Sequence, residues 1–285
     1  VRAWGLNTSG QTTVPAGLTN AISVAAGSAH TLALKSDGTV IAWGANTSGQ
    51  ATIPAGWNGV AAVAAAGNYS MALKADGTVV TWGGSINYAP AGLSNVIAIA
   101  AGSGAMALRS DGTVVVWDGT SVRTDTPAGL DGVSSIAAGS GGHFLAAKTD
   151  GTVVAWGSNG SGQTNFPAGL ASVIGVAAGE SHSMALKSDG TVATWGTTSY
   201  GVLSVPVGLT TAIVIAAGQY HSAALRADGT VAVWGNSSNG LTTVPVDLTN
   251  AFAVSAGGNH VVALRDTSLD AAPAITNQPA TVSAI

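Results

Sequence analysis

AAGSAHTLALKSDGTVIAWG, residues 25–44, and AAGQYHSAALRADGTVAVWG, residues 216–235, are one pattern written twice. Its closing Trp, followed by Gly or Asp, stands at Trp4, Trp43, Trp82, Trp117, Trp156, Trp195 and Trp234, at steps of 39, 39, 35, 39, 39 and 39 residues. A constant period of this length marks one supersecondary unit repeated as an array or ring, and about 40–45 residues suits a four-stranded propeller blade. Within residues 174–206 the apolar run 174–178 predicts strand A and the alternating run 183–187 predicts strand B. Ser188-Asp189-Gly190 is a hairpin turn, because Asp-Gly takes the positive-φ geometry of tight β-turns. Residues 191–196 predict strand C, and a loop to Gly201 leads to a short strand D ending at Pro206, where a residue without an N–H belongs at an edge. No 3.6-residue periodicity occurs, so helix is expected to be nearly absent.

Strands A and B occur seven times, but the last pair, ending at Arg265, is followed by Asp266-Thr267-Ser268 and no Trp-Gly. The missing strand C stands at the other end as Val1-Arg2-Ala3-Trp4-Gly5. The expected fold is therefore an all-β, seven-bladed propeller of four-stranded antiparallel blades, closed by the N-terminal strand completing the last blade. Residues 1–268 form the propeller in this reading. Residues 269–285 read as a linker, or as the start of a following immunoglobulin-like module, and the whole as one module cut from a longer polypeptide.

Composition narrows function by exclusion. Charged residues are 8% of the chain, against about 25% in an average globular protein, and the net charge of −4 offers no attraction to nucleic acid or an anionic membrane. No run of apolar residues is long enough to insert into a bilayer. Cysteine is absent, which removes disulfides, thiolate metal sites and a cysteine nucleophile. A surface of Ser, Thr, Asn, Gln and Gly points to an extracellular or cell-surface protein. His30, His143, His182, His221 and His260 all follow the strand-A glycine, with Ser70 and Ala105 counted in the same place in two repeats. Equivalent positions on different blades lie too far apart to share a metal ion, so each imidazole is expected to bond to its own blade's backbone. Glu180 is the only glutamate, near His182, with no second carboxylate or nucleophile beside it by pattern. No enzyme activity, metal or cofactor is expected.

The repeat Ala-Ala-Gly-x-x-His-x-x-Ala-Leu-Lys-x-Asp-Gly-Thr-Val-x-x-Trp-Gly resembles that of the regulator of chromosome condensation family, over nearly all of residues 1–266. The resemblance implies a seven-bladed propeller. WGLNTSGQTTVPA, residues 4–16, and WGANTSGQATIPA, residues 43–55, are in addition similar to the secreted bacterial β-lactamase inhibitors built on this ring. Relatives of that type bind proteins with one face, through aromatic residues just before the repeat histidine. Here those places are counted as Ala29, Tyr69, Gly104, Gly142, Ser181, Tyr220 and Asn259, of which two are aromatic. The resemblance thus carries over the scaffold and leaves open whether the inhibition is retained. Nothing matches the exchange-loop elements or basic tail of the eukaryotic namesake.

Antiparallel strands put the A–B turns and C–D loops on one face and the B–C hairpins and D–A loops on the other. The hairpin face carries basic residues such as Lys35 and Lys187 with Asp37 and Asp189 two residues on, a self-neutralising rim. The opposite face is nearly uncharged and combines Tyr with Asn, Ser and Gly, chemistry shared with antibody paratopes. Its candidate partner-binding residues are Tyr69, Tyr88, Tyr200, Tyr220, Asn68, Asn259, Glu180, His182 and His221. The expected function is non-enzymatic recognition of a protein partner by a monomeric module. Carbohydrate or cell-wall binding, and a structural spacer in a large secreted protein, are the alternatives.

Overall fold

The computed structural model describes residues 1–268 except Gly56, Ser85, Asn87 and Thr120, so the expectation for 269–285 lies outside the described residues. The chain forms seven antiparallel three-stranded sheets. The inner strands are Ala21–Ala26, Val60–Ala66, Val96–Ala101, Val133–Ala138, Val173–Ala178, Ala212–Ala217 and Ala251–Ala256. The middle strands are His30–Lys35, Tyr69–Lys74, Ala105–Arg109, His143–Lys148, His182–Lys187, His221–Arg226 and His260–Arg265. The outer strands of the first six blades are Val40–Gly44, Val79–Gly83, Val114–Trp117, Val153–Gly157, Val192–Gly196 and Val231–Gly235. In the seventh, Arg2–Gly5 takes that place, pairing Arg2 with Ala263 and Gly5 with His260. Each inner strand touches the next, and Ala251–Ala256 returns to touch Ala21–Ala26. The ring is closed, with the two chain ends joined in one sheet.

The expected fourth strand is not a ladder strand among the described residues. Its segment runs beside the outer strand as turns and irregular chain. The loop motif explains why: Asn7 Oδ1 accepts the Thr12 N–H, Gln11 Oε1 accepts the Ser9 N–H, and Gly10 turns the chain at φ 79°. Side-chain amides take bonds that a fourth strand would exchange with the third. Blade three comes nearest, with a single bridge between Trp117 and Val122.

Each core cluster joins two blades. Trp43 of blade one packs with Val262 and Leu264 of blade seven, and Trp234 of blade six with Met184 and Leu186 of blade five. The indole N–H is also used across the interface. Trp43 Nε1 donates to Gln11 O, Trp195 Nε1 to Gln163 O, and Trp234 Nε1 to Val202 O, each in the outer loop of the preceding blade. The same carbonyl accepts a second bond from a hydroxyl on the middle strand: Thr31 to Gln11 O, Ser183 to Gln163 O and Ser222 to Val202 O.

Three of the five histidines complete this junction by bonding to the neighbouring blade rather than to their own, whereas the ring nitrogens of His143 and His221 have no partner among the described residues. His30 Nε2 lies 2.9 Å from Ser70 Oγ, His182 Nε2 3.0 Å from Ser222 Oγ, and His260 Nε2 3.0 Å from Thr31 Oγ1. Each hydroxyl spends its proton on the loop carbonyl, as Thr31 does on Gln11, so the imidazole must donate through Nε2. All five imidazoles are fully buried. Burial lowers each below the usual histidine value, to about 4 for His30, His143, His182 and His260 and about 3 for His221. Every ring lies on the glycine three or four residues before it. A Cβ on Gly27 would meet His30 Cε1 at 2.1 Å, and one on Gly218 would meet His221 Cε1 at the same distance.

Strand register corrects the sequence alignment at two blades. His30 pairs with Gly44, and Tyr69 pairs with Gly83, so Tyr69 and not Ser70 stands in the histidine's place. Ser70 is the counterpart of Thr31, and Ala66 rather than Gly67 is the counterpart of Gly27. The exchange of glycine for alanine accompanies the exchange of imidazole for phenol. Tyr69 reaches into blade three, donating to Gly104 O and accepting from Gly102 N. Gly104, not Ala105, holds the histidine's place in that blade, after a turn one residue shorter.

Candidate functional site

The two faces form as expected. A–B turns meet the start of the C–D loops through bonds such as Ala45 N to Ala29 O and Asn236 N to Tyr220 O, while hairpins meet D–A loops through Ser36 N to Asn20 O. On the hairpin face, Asp37, Asp111, Asp150, Asp189 and Asp228 each accept both the N–H and the Oγ1–H of the threonine two residues on. These bonds hold their carboxyls below the usual range, led by the threonine hydroxyl at Asp111 and by Lys35 at Asp37. These carboxylates form turns. Lys35 and Lys187 pair with the Asp of their own hairpin.

The loop face opens on the ring axis as a funnel of about 330 Å³. Six blades contribute the residue after the strand-end glycine, or after its counterpart, to the funnel mouth, and in two adjacent blades these residues are Glu180 and Gln219. Beside them the Tyr220 hydroxyl receives Gln219 Nε2 at 3.2 Å and points to Glu180 Oε1 at 3.5 Å. Desolvation and the Glu180 charge raise the Tyr220 phenol above its ordinary value. The Tyr220 ring meets that of Tyr200, from the outer loop of blade five, with centroids 4.6 Å apart. Tyr200 is 56% exposed and sits in the left-handed region at φ 60°, ψ 3°. That conformation is costly for a bulky side chain, and such strain is found at functional sites.

Of the nine residues singled out in the sequence, Glu180, Tyr200 and Tyr220 meet in this cluster. Asn68 is exposed over blade one, donating to Ser48 Oγ, and Asn259 accepts the Leu6 N–H through its backbone in blade seven. Tyr88 lies in the outer loop of blade two, where its carbonyl receives the Trp117 indole. Tyr69, His182 and His221 are corrected: they are 2%, 0% and 0% exposed and fill the interior, so none presents a surface to a partner. Gln219 was not singled out, because a lone glutamine carries no pattern. The burial of Gln11, Gln50 and Gln163 also removes those amides from the face.

Among the described residues no group of three His, Asp or Glu side chains could hold a metal ion, and no helix is long and apolar enough to cross a membrane. No match to a curated protein was found. The family model described as the regulator of chromosome condensation (RCC1) repeat matches residues 21–50, 133–163, 173–202 and 213–241. Solved structures with the same fold include Prp20p from Saccharomyces cerevisiae, at 22% identity and TM-score 0.74 over 94% of this chain and 92% of that one. The same yeast protein bound to Kap60 gives 22% identity and TM-score 0.75 over 94% and 89% of the two chains. Human WBSCR16 gives 18% identity and TM-score 0.73 over 93% and 99%. Four of the seven blades thus match the regulator of chromosome condensation repeat, and the ring as a whole has the fold of these solved propellers.

Proposed function

We propose that this chain is a non-enzymatic recognition module that binds a protein partner on its A–B turn and C–D loop face, centred on Tyr200 and Tyr220. The observation that carries it is the contacting pair of exposed Tyr200 and half-buried Tyr220, the latter held by Gln219 and Glu180 over an otherwise nearly uncharged surface. Rigid aromatic rings with hydrogen-bonding edges anchor protein interfaces at small entropic cost. The yeast propeller of the same fold is described with binding to Gsp1p and histones, and in complex with Kap60, which supports protein binding as a use of such rings. Low charge and a surface of Ser, Thr, Asn, Gln and Gly support an extracellular or cell-surface setting.

The test is affinity capture with the immobilised propeller. Tyr200→Asn is the informative variant, because Asn239 takes the same left-handed turn position in the next blade. A captured protein that is lost with Tyr200→Asn and Tyr220→Ala, yet kept with Asp189→Ala on the hairpin face, is the expected result. Capture indifferent to both tyrosines overturns the reading, and glycan-array binding that depends on them transfers it to carbohydrate.

A further inference from the structure

The mouth of the axial funnel breaks the seven-fold pattern in one electrostatic respect. Residues equivalent to Glu180 in the other blades are Ser28, Gly67, Ser103, Ser140, Gln219 and Gly258, all neutral. Among the described residues, Glu180 is the one ionisable residue lining the funnel. No cation forms a salt bridge with it among the described residues, and its hydrogen bond is the long one from the Tyr220 hydroxyl. The five nearby imidazoles are held neutral by burial, so none supplies the missing positive charge. A half-buried carboxylate without a counter-ion is a place where an incoming cation gains more than it would in open water.

We infer that the funnel mouth seats the ammonium group of a lysine side chain presented by the protein partner, with Glu180, Tyr220 and Gln219 as its oxygen acceptors. This rests on the protein-binding reading above and names what the partner inserts. Gln219 donates through Nε2 to Tyr220, which leaves its Oε1 as an acceptor, and the phenol oxygen keeps acceptor capacity. A carboxylate, a phenol and an amide side by side suit the three donors of a compact ammonium better than the flat fork of a guanidinium. The stem of the lysine lies along the exposed Tyr200 ring beside Tyr220, where the methylenes find apolar surface and the charge finds the ring quadrupole.

The test uses the intact chain and N-acetyl-lysine methylamide, followed by NMR shifts of the Gly179, Gly218 and Tyr220 amides. A saturable shift is expected, absent with the norleucine analogue and weaker with the arginine analogue. Glu180→Gln should weaken lysine binding by about tenfold or more, and Tyr220→Phe by a smaller factor. Both variants keep the side-chain shape, and an unchanged urea midpoint shows that the ring is intact. No saturable shift, equal binding of norleucine or arginine, or indifference to Glu180→Gln in a folded variant overturns the inference. Such a failure leaves the recognition face standing if capture still depends on Tyr200, so the two readings fail separately.

Discussion

Gly27→Ala adds one methyl group to a residue whose backbone needs no left-handed geometry, so the cost comes from space alone. The new Cβ would fall 2.1 Å from His30 Cε1, 2.4 Å from Nδ1 and 3.0 Å from Nε2. Its three nearest neighbours all belong to that one imidazole. The ring cannot swing away, because it is fully buried and its Nε2 is fixed at 2.9 Å to Ser70 Oγ. Overpacking of this kind costs about 1–3 kcal/mol, and the broken bond to a buried hydroxyl adds about 1 kcal/mol. His30→Ala alone leaves a cavity and an unpartnered Ser70 acceptor, for a loss of about 2–4 kcal/mol.

The double variant separates this account from a general intolerance of the turn. With His30 already removed, the Gly27 methyl enters the space the ring vacated and restores part of the lost packing. The two losses should therefore fall short of adding by about 2 kcal/mol, well above the few tenths expected for independent sites. Blade two is the natural precedent, with Ala66 in the glycine's place and no imidazole at Tyr69. Urea unfolding of the four proteins, read by tryptophan fluorescence, measures the cycle. Additive losses would refute the claim that the repeat glycine exists to receive the imidazole.

Acid should destabilise the ring well above the carboxylate range. The folded histidines titrate near 4 or below and the unfolded ones near 6.5, so their stabilisation is complete above 6.5 and is lost as pH falls towards 4. From pH 7 to 5 each histidine withdraws about 2 kcal/mol. The lowered aspartates act only below their ordinary value of 3.8, so a urea midpoint unchanged between pH 7 and 5 would contradict the buried ring. Trp43→Phe should cost about 1 kcal/mol more than Trp156→Phe, since the Trp43 indole N–H bonds Gln11 O whereas that of Trp156 has no protein partner among the described residues. Calorimetry of the two variants decides it. Deleting residues 1–20 removes the outer strand of blade seven with Trp4, and the product should lack a cooperative melt. A deletion that melts like the parent would refute closure through this strand.

The ring was legible in the sequence because its determinants are local and periodic. A tryptophan every 39 residues, an Asp-Gly hairpin before it and a half-repeat at each end suffice for blade number and closure. What depends on contacts between blades was not legible. His30 bonds a residue 40 positions away, and nothing in the spacing distinguishes that from a bond within its own blade. Tyr69 was misplaced by one residue because Gly67 looks like the repeat glycine, and only the pairing of Tyr69 with Gly83 shows that Ala66 holds that position. Among the described residues the fourth strand is absent from the ladder because Asn7 and Gln11 accept loop N–H groups, Asn7 from the surface and Gln11, 1% exposed, from within, and nothing in their spacing distinguishes these loop bonds from strand pairing.

Departures from the repeat fall into two physically different kinds. Tyr69 breaks the histidine pattern, but its surroundings change with it. Ala66 replaces the glycine, and the phenol gains a donor and an acceptor in the next blade. Such a substitution returns the junction to a packed, bonded state and needs only structural reasons. Tyr200 and Glu180 are of the other kind. Tyr200 takes a left-handed conformation that the adjacent blade assigns to Asn239, which tolerates it, and no neighbouring change relieves the strain. Glu180 places a charge where six blades are neutral, and no cation forms a salt bridge with it among the described residues. Each lowers the stability of an isolated ring in which the alternative residue is present one blade away. Local costs that the fold does not offset mark where something outside the fold is expected to contribute, and here both lie within one cluster, joined through Tyr220.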